Sequence, residues 1–154
     1  MFVFDPNLKI IRLGFVFSIN SVYICIELKG KSMTVTIPKE GHPKYLFLIE
    51  AFAITSSPFK DLRFREKEVL AWLYFYNNEN KNIPVEHRDK ITFHRDTRQN
   101  IARDLGVSMD SLYNILMALK KYGLLEGNGD NMVFVSKYLK PFEGELQELT
   151  FKFK

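Results

Sequence analysis

The 154-residue sequence has one cysteine, three histidines and no long apolar run, and each shortage removes a class of function. Cys25 has no partner for an internal disulfide, which excludes a disulfide-built scaffold and leads to the expectation of a reducing, intracellular setting. The opening MFVFDPNLK lacks the basic start, apolar run and small-residue cleavage site of a signal peptide. Nothing approaches the roughly eighteen apolar residues that span a bilayer, so a soluble chain with no membrane partner is expected. Cys25 lies far along the chain from His42, His87 and His94, and no paired C-x-x-C or H-x-x-x-H spacing can be assembled, so no metal site is expected. Neither a Gly-x-Ser-x-Gly elbow nor a phosphate-cradling Gly loop occurs. Glu86-His87-Arg88-Asp89 brings acid, base and imidazole together, but a hydrophilic loop ordinarily holds such residues without chemistry. The chain is therefore read as non-enzymatic, with no catalytic residues and no cofactor.

Charge of one sign is also scarce locally. The net charge of +4 is spread thinly: residues 1–61 carry seven basic and five acidic groups, residues 62–140 thirteen and ten, and residues 141–154 two and three. No segment is a polybasic stripe, and scattered bases are usually a solvated face. Aromatics, in contrast, are abundant. Fourteen Phe, seven Tyr and one Trp make 14% of the chain, more than one small core usually needs, which points to aromatic surface meant for a partner.

The first forty residues alternate. Phe15, Phe17 and Ile19, then Val22, Ile24, Ile26 and Leu28, then Met33, Val35 and Ile37 mark three short strands, with Asn20-Ser21 and Gly30-Lys31 as turns and Pro38 as the stop. They predict an antiparallel β-meander. Residues 44–54, KYLFLIEAFAI, are apolar on nearly every side and predict a helix covered on more than one face, by two layers of this chain or by a neighbouring subunit. Thr55-Ser56-Ser57-Pro58 marks a boundary. Beyond it, Val69, Trp72, Leu73 and Tyr76 recur at the spacing of one helical face, which makes Tyr74, Phe75 and Tyr76 packing residues rather than a base-stacking platform. A polar loop then leads to Ile91 and Phe93, read as a short strand or extended arm. Asp96 or Thr97 can cap a second helix through Leu105, Gly106 can end it at positive φ, and Ser108 can cap a third helix with Leu112, Ile115, Leu116 and Leu119 on one face. EGNGDN then separates LLE from MVFVSKYL, the pattern of a β-ribbon with a Gly-rich tip. In the C-terminal LQELTFKFK, Leu149, Phe151 and Phe153 alternate with polar residues, so the tail can add a strand to the meander or to another chain.

Three helices, a Gly106-Val107-Ser108 turn and a terminal ribbon are the parts of a winged helix-turn-helix, and the run TRQNIARDLGVSMDSLYNILMALKKYGLLE resembles that superfamily. The resemblance covers residues 62–140. EKEVLAWL, IPVEHRDKITF and the helix-turn-helix together are similar to small winged-helix proteins of tailed, crAss-like bacteriophages. The fold class expected is thus α+β: a β-rich N-terminal domain over residues 1–61, an antiparallel β-meander with one apolar helix; a winged helix-turn-helix domain over residues 62–140; and a strand-like tail over residues 141–154. The resemblance implies either a virion component, of the ring or head-to-tail connector kind, or a regulator.

A helix that reads DNA needs basic or amide side chains at its exposed N-terminal half. Here Met109, Asp110, Ser111, Tyr113, Asn114 and Met117 face away from the apolar seam; only Asn114 offers a bidentate amide and there is no arginine. Asp110 suits the helix dipole but opposes a phosphate, and the tip, residues 127–131, carries Asp130 and no base. The expected function is therefore a structural assembly protein: a subunit of a phage virion, assembled in the host cytoplasm, that binds other protein subunits as a homo-oligomer or ring. Tyr45, Phe47, Leu48, Phe52, Phe151 and Phe153 are its interface candidates. The alternative is a cytoplasmic regulator or replication factor that binds double-stranded DNA, with Arg98, Ser111, Tyr113, Asn114, Lys120 and Lys121 as contacts.

Overall fold

The computed structural model describes residues 2–4, 11–13, 26–29, 32–36, 41–54, 56–143 and 148–152. In chain order these form strands β1 (Phe2–Phe4), β2 (Ile11–Leu13), β3 (Ile26–Lys29) and β4 (Ser32–Thr36), then helices α1 (His42–Ala53), α2 (Phe64–Glu79), α3 (Val85–Thr92), α4 (Arg95–Leu105) and α5 (Met109–Lys121). A two-stranded ribbon of β5 (Leu125–Glu126) and β6 (Val133–Phe134), the short helix α6 (Ser136–Leu139) and strand β7 (Glu148–Lys152) follow. The chain divides into two units, Met1–Lys39 with Gly144–Lys154, and Glu40–Glu143.

The expected class, α+β with an N-terminal antiparallel β-meander and one apolar helix ahead of a winged helix-turn-helix, is overturned. The described chain is dominated by six α-helices, and the helical unit contains only the two-stranded ribbon β5–β6. The apolar helix is no appendage of a β-domain: it packs on α2 within the helical unit. The predicted strand at residues 15–19 and the first half of the next, residues 22–25, lie outside the described residues. Among the described strands, β3 and β4 pair antiparallel and the tail strand β7 adds to β4, Val35 opposite Leu149, which is one of the two uses expected of the tail.

Local chemistry explains the helical boundaries. Pro43 sits in the first turn of α1, where its missing N–H costs nothing. At the start of α2 the Glu66 carboxylate accepts the Arg63 backbone N–H at 2.7 Å. The capping of α4 differs from the expectation: His94 is its N-cap and accepts the Asp96 N–H at 3.3 Å, while Thr97 donates its hydroxyl to the Ile91 carbonyl at 2.8 Å. Gly106 closes α4 at φ 64°, a left-handed turn that a Cβ would penalise, and the Ser108 Oγ accepts the Ser111 N–H at 3.1 Å to open α5.

The segment read as a loop and extended arm is the helix α3. Asp89 explains why. It is buried, its Oδ1 accepts from Asn77 Nδ2 of α2 at 3.0 Å, and the Phe134 N–H of β6 also donates to it. One carboxylate so joins α2, α3 and β6, and burial raises its pKa above the ordinary 3.8 against the opposing pull of those hydrogen bonds. The Glu86-His87-Arg88-Asp89 group is accordingly split: Glu86 and His87 are exposed, Asp89 faces the core, and Arg88 donates to the Lys81 and Ile83 carbonyls.

Six aromatic side chains of the described residues, Tyr45, Phe59, Tyr74, Phe93, Phe134 and Phe142, are buried. Tyr74 stacks on Phe142 with ring centroids 4.3 Å apart and on Phe134 at 5.2 Å; Phe93 meets Phe134 at 5.0 Å, and Phe52 meets Phe142 at 5.3 Å and Phe59 at 5.9 Å. Tyr74 donates its hydroxyl to the Tyr138 carbonyl at 3.1 Å, and burial raises its pKa far above the usual phenol range. Such ring pairs contribute about 0.5–1.5 kcal/mol each beyond the area they bury. The buried face of α2 is Val69, Leu70, Leu73, Tyr74 and Asn77, a rotation from the predicted seam that leaves Trp72 and Tyr76 only half-buried. Trp72 instead stacks on His42 of α1 at 4.2 Å and 6°.

Candidate interaction surface

The interface candidates on α1 do not form a surface. Tyr45 and Leu48 are 2% and 0% exposed, because the side of α1 that carries them faces α2 of the same chain. Burial, aided by the nearby Glu79 carboxylate and partly offset by a hydrogen bond with Asn78, pushes the Tyr45 phenol up to about 12. An ion pair between Lys67 and Glu50, 3.0 Å apart, fastens the two helices from the side. Phe52 is half-buried in the aromatic cluster and Phe47 half-buried elsewhere on α1. Phe151 falls in β7, opposite Met33, and Phe153 lies outside the described residues.

Large apolar side chains are exposed at several places among the described residues, Ile54, Phe64, Val85, Ile91 and Val133 among them, and α5 presents two on one face. Leu112, Leu116 and Leu119 turn inward, and the opposite face presents Met109, Asp110, Ser111, Tyr113 and Asn114, with Met117 half-buried beside them. Met109 is 38% and Tyr113 48% exposed, large values for such side chains. From Asp104 to Leu119 the chain contains no lysine or arginine. The first three turns of α5 are thus neutral to acidic and partly apolar. Asp110, in the first turn, suits the positive end of the helix.

The bases around this face are mostly engaged. Arg98 on α4 pairs through Nη2 with Asp130 at the ribbon tip. Lys120, in the last turn of α5, donates to the Asn128 Oδ1 at 2.7 Å. Arg103 lies 3.5 Å from Asp104, and the Lys137 ammonium sits over the Tyr138 ring at 4.6 Å. Of the DNA-contact candidates, Ser111, Tyr113, Asn114 and Lys121 are exposed, whereas Arg98 and Lys120 are held by the tip. The sequence pattern shows no sign of those two tip contacts, since Arg98 and Asp130 are 32 residues apart.

Among the described residues no group of three or more His, Cys, Asp and Glu could hold a metal ion, and no helix is long and apolar enough to cross a membrane. What the face can do chemically is bury Met and Tyr surface against an apolar partner, with Asn114 and the Ser hydroxyls supplying hydrogen bonds at its edge. No protein-family model, no curated protein and no solved structure matches this chain.

Proposed function

We propose that this chain is a non-enzymatic assembly protein that docks on other protein subunits through the exposed face of α5. One observation carries the reading: a helix presented by a helix-turn-helix connection exposes Met109, Tyr113 and Asn114 and carries no cation before its last turn. Interface cores are enriched in Tyr and Met and depleted of charge, whereas a helix that grips a duplex brings Arg or Lys to phosphates and base edges. The phage-like resemblance of residues 62–140 supports a place in a virion, as one subunit of a ring or head-to-tail connector put together in the host cytoplasm.

The test is the mass of the purified full chain together with its affinity for duplex DNA. A defined oligomer is expected, with no saturable binding of duplex DNA at about 0.15 M salt. Met109→Asp with Tyr113→Asp should reduce that oligomer to monomer while leaving the thermal unfolding of the chain in place. A monomer at every concentration, with DNA affinity that falls steeply as salt rises, would overturn the proposal in favour of a double-stranded DNA-binding regulator.

A further inference from the structure

We infer that the ribbon tip is an internal plug, in which Asp130 and Asn128 occupy Arg98 and Lys120 and so withhold from a duplex phosphate the two cations that α4 and α5 would otherwise offer. The inference goes beyond the assembly reading: it assigns an oxyanion site and names the chain's own tip as its present occupant.

Three observations converge. The two tip residues are only two positions apart, a reach of at most about 7 Å, so the cations of two different helices are gathered onto one small element. The Arg98 side chain is 14% exposed although its guanidinium is paired, and its Nε is buried with no acceptor among the described residues. Asp130 takes the Nη2 donor and leaves Nε unfilled, so the guanidinium keeps a donor to offer to an oxyanion that bridges both nitrogens. Finally, the tip has a set shape. Gly127 has φ 80°, and a Cβ there would stand 2.1 Å from the Asn131 carbonyl oxygen, so only glycine lets the tip fold back towards α4 and α5. In a helix-turn-helix the first helix crosses the nucleic-acid backbone, which makes a base on α4 a phosphate contact once it is free.

The experiment compares the full-length chain with Asp130→Asn plus Asn128→Ala, with Gly127→Ala, and with Glu126→Gln, using a mixed-sequence DNA duplex and fluorescence anisotropy across a salt series. Circular dichroism melts check that each variant is folded. Opening the plug should raise DNA affinity at least tenfold at low salt and steepen the log–log salt slope by about 1.8, two phosphates at about 0.9 each. Gly127→Ala should show the same gain with no change of net charge, and Glu126→Gln, which removes one acid at an exposed ribbon position, should show much less. Adding Arg98→Ala and Lys120→Ala should abolish the gain. Opened variants that bind no better than the unaltered chain overturn the plug, as does a gain that Glu126→Gln matches or that survives loss of both cations. If the unaltered chain does not bind and the opened variants do, the plug and the assembly reading both stand. If neither binds, the plug alone fails. If the unaltered chain binds and the opened variants bind more tightly, the plug stands and the assembly reading fails.

Discussion

Helices α1 and α5 are both rich in apolar residues, and they use them in opposite ways. In α1, Tyr45, Leu48, Ile49 and Ala51 are all buried, with Phe52 among the rings of Phe59 and Phe142. In α5, one side supplies Leu112, Leu116 and Leu119 to the core while Met109 and Tyr113 stay in water. The difference lies in the surroundings. The nearly all-round apolar α1 packs on α2 and is sealed by the aromatic cluster, whereas α5 packs one face on α2, α4 and β5 and leaves Met109 and Tyr113 uncovered by the described residues. Apolar content alone therefore does not mark a docking surface; the same content signals a partner only where the chain leaves it uncovered.

The largest expected effects break that contrast in the core. Phe142→Ala should cost about 3–5 kcal/mol and Leu48→Ala about 2–5 kcal/mol, measured by urea unfolding, because each leaves a cavity among fully packed neighbours. Tyr113→Ala should change the stability of the isolated chain by no more than about 0.5 kcal/mol; a loss as large as that of Leu48→Ala would mean that the α5 face is already covered. An intermediate effect is expected at the buried polar joint. Asn77→Ala should cost about 1–3 kcal/mol, since it leaves the Asp89 carboxylate short of a donor in the interior. Tyr74→Phe, which removes only the hydrogen bond to Tyr138, should cost about 1 kcal/mol and keep the ring stacking.

The smallest effect is on pH. Burial lowers the pKa of His42, and the Asp104 carboxylate pulls weakly the other way. The unfolded chain then takes up a proton near 6.5 before the folded one does, so this stability is fully present above 6.5 and is lost as pH falls toward the lowered value. The urea midpoint should drop across that interval and His42→Gln should flatten the drop. Trp72 is the only tryptophan and stacks on His42, so its fluorescence should report the same titration with a midpoint below 6.5; a midpoint above 6.5 would contradict the burial of the pair.

The parts legible in the sequence are those that act within a turn of chain. Gly106 and Ser108 mark the passage from α4 to α5 because a left-handed glycine and a hydroxyl cap satisfy backbone groups only a few residues away, and the Leu112-Leu116-Leu119 spacing states its own buried face. The sequence points to Asp96 or Thr97 as the cap of α4, strong cap formers that here lie inside the helix, with His94 taking the role. The polar composition of residues 85–90 reads as a loop and Ile91 with Phe93 as a short strand or arm; what makes Val85–Thr92 the helix α3 is one buried acid bonded to Asn77, a contact across 12 residues.

Composition, caps and helical period settled which segments of residues 95–121 are helical and which face of α5 is apolar, since those depend on neighbours along the chain. Tertiary structure alone decided that α1 belongs with the helices, that an aromatic cluster builds a core joining residues as distant as Tyr74 and Tyr138, and that the ribbon tip closes over Arg98 and Lys120. The physical reason is the same in each case. A contact across dozens of residues forms only where packing brings its two ends together, and no pattern within a single turn encodes that meeting.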